Sequence, residues 1–223
     1  PDGEPHVFGD RLYLYGSHDK EGGDTYCMLD YVGYSAPVTD LKSWRNEGVI
    51  YRAQQDLNYS SERKYMYAPD AVKGTDGRYY LYYCLTGGEN IISVAVCDTP
   101  MGKYEYLGMV QNPDGSVFKR FIPGDPGVIN DDGVIRLYFG WSLAVPEEMI
   151  KATPDFEESF INAQMMLFKK SREEILGEPD GVMGANAVTL QEDMLTIASE
   201  PVRIVPGQFS AKGTSFEGHA FYE

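Results

Sequence analysis

Three aspartates recur at a matched distance ahead of a glycine: Asp2 stands seven residues before Gly9, Asp70 seven before Gly77 and Asp125 eight before Gly133. Each heads an apolar run, and each glycine is followed by a strand-like stretch, RLYLYG, RYYLYY or VIRLYFG. Aspartate before a Pro-Gly pair, as at Asp125, also commonly starts a turn, so residue type alone leaves two readings open. Matched spacing adds that the acids are placed by a repeating unit. Several carboxylates in one pocket, with no CxxC pattern and only His6, His18 and His219 as histidines, suit acid–base chemistry on a neutral polar substrate. Glycoside hydrolysis with inversion is such a chemistry: one carboxylate activates water while a protonated acid about 6.5–9.5 Å away protonates the leaving oxygen. A third carboxylate nearby raises the pKa of that acid by like-charge repulsion.

The elements that would position these acids are strands. Within each unit the residues before the glycine read as a short strand and those after it as a second, giving a hairpin, with Asn130-Asp131-Asp132-Gly133 as tight-turn chemistry. Further pairs of runs follow in Tyr31 to Ala53, Asn90 to Val110 and Ala185 to Val205, each split by a polar turn. Four antiparallel strands per unit, repeated at intervals of tens of residues, predict an all-β fold of β-propeller blades. Radial packing of the blades then brings the openings of the innermost strands to one mouth of the central axis. The segment FEESFINAQMMLFKKSREE, from Phe156 to Glu174, is expected to be a short helix or irregular insertion, with Met165, Met166, Leu167 and Phe168 packing.

Composition agrees: 13% aromatic residues, 17 Tyr, 24 Gly and 13 Pro in 223 residues favour strands and turns. A net charge of −15 with only 19 scattered Lys and Arg argues against nucleic-acid and anionic-membrane partners. Cys27, Cys84 and Cys97 are an odd set without framework spacing, expected to be reduced thiols that are mostly buried. No run approaches a membrane-spanning length and no signal peptide is visible, so a bacterial cytoplasmic location is expected, with secretion as the alternative because the chain starts at Pro1.

The segments PDGEPHVFGDRLYLYGSHD, TDLKSW (Thr39 to Trp44), YAPDAV, VAVCDTP, GDPGVINDDG and the terminal EGHAFYE together resemble glycoside hydrolase family 43. These are five-bladed propellers that cleave α-L-arabinofuranosides and β-D-xylosides with inversion. The resemblance implies Asp2 as general base, Asp125 in its Asp-Pro context as the pKa-modulating residue, and a glutamate opening the fourth blade as general acid. Glu223 fits that glutamate better than Glu217, because HAFYE is the more similar to the start of that strand. Asp70 then resembles a residue of the substrate pocket or of the layer supporting it. Tyr67 and Trp141 are candidate sugar-stacking residues, although interior strand aromatics equally suit a core. Glu217 and His219 are further candidates for substrate contact, as is His6, each with a structural role as the alternative.

By the same resemblance no cofactor is required, no metal ligand is assigned here, and a structural calcium at the axis suits a complete propeller. The implied partner is an oligosaccharide or polysaccharide from plant material. A non-catalytic carbohydrate-binding propeller, or a phosphorylase of a related five-bladed family, is the alternative; the latter needs a basic phosphate pocket, and no Arg or Lys cluster stands beside the acids in sequence. Three units look complete and a fourth begins, so residues 1–223 are expected to be a single propeller domain that is incomplete at its C-terminus.

Overall fold

The computed structural model describes residues 3–87 and 90–217. Strands β1 (Pro5–Phe8), β2 (Arg11–His18), β3 (Leu29–Pro37) and β4 (Arg45–Tyr51) form the first sheet in chain order. The second holds β5 (Met66–Lys73), β6 (Tyr79–Leu85), β7 (Ile92–Cys97) and β8 (Glu105–Met109), and the third holds β9 (Gly127–Asp131), β10 (Val134–Phe139), β11 (Gly184–Thr189) and β12 (Val202–Pro206). Every neighbouring pair is antiparallel. These are three consecutive propeller blades, one for each repeat of the sequence.

The hairpins close at the expected glycines. Phe8 pairs with Arg11 across Gly9 (φ 65°). Asp131 pairs with Val134 across Asp132 and Gly133, both left-handed at φ 49° and 91°, which is the two-residue turn whose twist matches its strands.

Blade two is sandwiched, and its sequence shows why. In β6 every residue is buried. Tyr79, Leu81, Tyr83 and Leu85 face blade one, joining Tyr15, Tyr31, Ile50 and Tyr51. The alternate residues Tyr80, Tyr82 and Cys84 face blade three, joining Val128, Ile135, Leu137, Phe139 and Val188. Side chains alternate across a strand, so a strand buried on both faces reads as an unbroken apolar and aromatic run, here YYLYYCL.

Between β10 and β11 lie three helices, α1 (Glu147–Ala152), α2 (Phe156–Phe168) and α3 (Arg172–Gly177). The insertion is therefore longer and more helical than the sequence led us to expect. α3 starts at a reciprocal cap in which Ser171 Oγ accepts from the Glu174 N–H and Glu174 Oε2 accepts from the Ser171 N–H. The expected packing run divides: Phe168 is buried with Phe160, Ile161, Ile175 and Phe209, and Met165 packs against them, whereas Met166 and Leu167 are 66% and 50% exposed. A helix turns 100° per residue, so four consecutive apolar residues cannot all face one neighbour. None of the three cysteines is joined in a disulfide, with Cys27 and Cys84 buried and Cys97 half-buried. No helix among the described residues is long and apolar enough to cross a membrane.

Candidate active site

The openings of β1, β5 and β9 come together through one carboxylate. Asp70, 3% exposed, sits within β5 just after an irregularity: Tyr67 pairs with Cys84 but Asp70 with Tyr82, so Ala68-Pro69 inserts an extra residue. Pro69 has no N–H for the ladder, and a bulge of this kind re-aims the side chain that follows. Asp70 Oδ1 meets His6 Nε2 of β1 at 2.5 Å and accepts from the Ala71 N–H at 2.8 Å, while Oδ2 accepts from the Val128 N–H of β9 at 2.7 Å. One buried side chain thus ties three blades. The His6 ring stacks on Phe8 and meets Tyr15 edge-on, so His6 spends its Nε2 on this tie. Close packing continues at Gly3, where a Cβ would lie 1.6 Å from the Tyr15 carbonyl oxygen and 3.2 Å from that of Pro69. Only glycine fits there, and the first unit's opening is thereby laid against the Ala-Pro-Asp element.

Asp125 lies two residues before β9 with a left-handed backbone (φ 46°), a conformation that aspartate tolerates better than most residues. It is half-buried. Its charge is felt by three neighbours. Burial, the larger cause, pushes the Tyr67 phenol up to about 12, and Tyr26 and the Asp125 charge add to it. Burial likewise lifts the Tyr31 phenol and the Cys84 thiol well above their ordinary values, with Asp125 again contributing.

Tyr67 is half-buried; its carbonyl accepts from the Tyr31 hydroxyl, and its ring stacks on that of Tyr26 with centroids 5.6 Å apart. Trp141 stands just past β10 and meets Phe168 of α2 edge-on at 5.9 Å, packed against the helical cluster. For Trp141, the core alternative therefore has direct geometric support. Glu217 is exposed, beyond the bridge between Phe209 and Ser215. Asp2, His219 and Glu223 lie outside the described residues. Sequence reasoning missed the His6–Asp70 pairing, the Tyr31 and Cys84 surroundings of Asp125, and Tyr26, whose Gly- and Asp-rich loop carries no periodic signal.

Among the described residues no group of three or more His, Cys, Asp or Glu is arranged to hold a metal ion. A calcium ion takes six to eight oxygen ligands, and Asp70, whose oxygens accept from the Ala71 and Val128 N–H groups, stands in no such group among the described residues.

The sequence profile of Glycosyl hydrolases family 43 matches residues 6–154. A xylosidase/arabinosidase of Thermoclostridium stercorarium is 42% identical over 227 aligned residues, covering 100% of this chain and 41% of that protein. Among solved structures, the β-xylosidase RS223 superposes with a TM-score of 0.61 at 24% identity, over 96% of this chain and 61% of that one. A β-xylosidase/α-arabinofuranosidase from a compost microbial metagenome, solved with xylotriose in a calcium-free form, gives 0.57 at 26% identity over 91% and 58%. The chain thus spans about two fifths of the length of that Thermoclostridium relative.

Proposed function

The chain belongs to glycosyl hydrolases family 43, and on that premise we propose that the complete gene product is an inverting glycoside hydrolase acting on α-L-arabinofuranosidic or β-D-xylosidic linkages of plant-derived oligosaccharides or polysaccharides. Asp2, as carboxylate, takes a proton from water while the water oxygen bonds to the anomeric carbon. Glu223, as carboxylic acid, gives its proton to the glycosidic oxygen as the bond to that carbon breaks. The products are a sugar of inverted configuration and a free hydroxyl on the leaving group, with one proton moved at each end.

Asp125 has the third role. It stands at the opening of β9, and its negative charge disfavours ionisation of a neighbouring carboxyl, holding Glu223 protonated until the leaving oxygen takes the proton. The observation that supports this reading is the Asp70 tie, which joins β1 and β9, the strands that Asp2 and Asp125 precede in sequence, through His6 and Val128. Tyr67 supplies an aromatic face beside Asp125, and Asp70 belongs to the layer that supports the pocket.

The test is release of p-nitrophenol from the α-L-arabinofuranoside and the β-D-xyloside by the complete gene product, with the anomer formed first from a xylo-oligosaccharide followed by NMR. Turnover with inversion, abolished in Asp2→Asn and in Glu223→Gln, is the expected result. Retained activity in Asp2→Asn would remove that residue from the mechanism, and strict dependence on phosphate would replace hydrolysis by phosphorolysis.

A further inference from the structure

The loop from residue 19 to residue 28 joins β2 to β3 at the same end of blade one as the β1 opening, and it is fastened rather than loose. Cys27 is buried and adopts φ 57°, a left-handed conformation uncommon for a residue that is not Gly, Asn or Asp. Its N–H donates to Asp19 Oδ1 at 2.7 Å, closing the loop on itself. Its carbonyl accepts from the Met66 N–H at 2.9 Å, pinning the loop of blade one to the first residue of β5 in blade two. Both bonds fix the residue immediately before Cys27. That residue is Tyr26, stacked on Tyr67 at an interplanar angle of 28° and yet 62% exposed.

A strained backbone that a fold maintains in order to hold an aromatic ring open to solvent is better suited to a ligand than to packing. Tyr67 covers one face of Tyr26, and Tyr67 itself lies beside Asp125. The geometry points to Tyr26 as a specificity-determining residue: with Tyr67 it forms an aromatic wall at the mouth, and its exposed ring takes the apolar C–H face of a pentose ring of a xylo- or arabino-oligosaccharide. This rests on the glycoside hydrolase reading, and the experiment keeps the two apart.

Xylotriose binding is measured by calorimetry on the complete gene product in an Asp2→Asn background, which suppresses turnover, with Tyr26 retained or changed to Ala or Phe. Tyr26→Ala is expected to weaken binding about tenfold, the scale of one aromatic contact, and Tyr26→Phe to restore it, because the ring and not the hydroxyl carries the contact. In the Asp2-bearing enzyme the same loss appears in KM, with kcat changed less than twofold. Equal affinity for Tyr26→Ala and its parent overturns the proposal, as does a parent that binds no xylotriose. Binding that depends on Tyr26 in a protein that cleaves neither xylotriose nor the p-nitrophenyl glycosides would uphold the aromatic wall and overturn the hydrolase reading instead.

Discussion

Asp70 and Asp125 stand at the same point of two successive units, seven and eight residues before Gly77 and Gly133, and they meet opposite surroundings. Asp70 is buried, with N–H donors on both oxygens and His6 against one of them. Asp125 is half-buried on a left-handed backbone, with phenols and a thiol kept neutral around it. Matched places in the repeat thus hold, in one blade, a carboxylate buried in a tie between three strands and, in the next, a half-buried one on a left-handed backbone. The bulge at Ala68-Pro69 is the local device that separates them, since it turns Asp70 toward the neighbouring strands.

The sharpest separation comes from Asp125→Asn. An Asn in its place keeps the volume and loses the charge, so kcat of the complete gene product on a p-nitrophenyl glycoside should fall on the order of a hundredfold or more, while the melting temperature stays within a few degrees. A variant as active as its parent would break the contrast by leaving both acids structural.

Asp70→Ala should act the other way. It strands the Val128 N–H and the His6 ring in a buried site, and removal of one partner from such a cluster costs about 3 kcal/mol. The measurement is the denaturant midpoint at unchanged m, with Asp70→Asn as the milder companion, which keeps one acceptor oxygen. A midpoint unmoved by Asp70→Ala would show that the three blade openings are held by packing alone.

A smaller effect tests the support beneath Tyr67. Tyr31→Phe removes the hydroxyl that donates to the Tyr67 carbonyl in a fully buried setting, at about 1 kcal/mol for one lost hydrogen bond. The same denaturation curve reads it. KM should rise with kcat nearly constant if the Tyr67 ring loosens.

The contrast between the two aspartates was only half legible in the sequence. Their spacing was, because it rests on hairpins whose turn glycines and tyrosine-rich strands are written in contiguous residues, and β6 declares its double burial as an unbroken apolar run. The Asp70 tie was not, since His6 and Val128 lie 64 and 58 residues away in the chain and no local pattern encodes which N–H a buried carboxylate will find. Tyr26 was invisible for a related reason: its place depends on a backbone bond from Met66 and on the left-handed Cys27. The helical insertion was blurred because α2 is bounded by the left-handed Asp155 and Lys169 rather than by glycine and leaves Met166 and Leu167 in solvent, hiding both its ends and its face.

The finest test of the contrast lies in the Tyr67 phenol, whose ordinary value of 10.0 is pushed up to about 12 by burial first and then by Tyr26 and the Asp125 charge. A raised phenol pKa means that the folded protein holds the proton more tightly than the unfolded chain. Its contribution to stability is therefore fully present below pH 10 and is lost as pH rises from 10 toward about 12. Neutralising Asp125 removes one of the raising charges and leaves the burial, so Asp125→Asn should lower the Tyr67 pKa without returning it to 10.0. The ring carbon bearing the hydroxyl, labelled with carbon-13 and assigned by its disappearance in Tyr67→Phe, reports the titration by NMR. At a fixed pH between 10 and 12 the ionised fraction should be larger in Asp125→Asn than in its parent, whereas Asp70→Asn, at the carboxylate held against His6 and the Val128 N–H, should change it less. Identical titration in Asp125→Asn and its parent would mean that the Asp125 charge does not reach the aromatic wall.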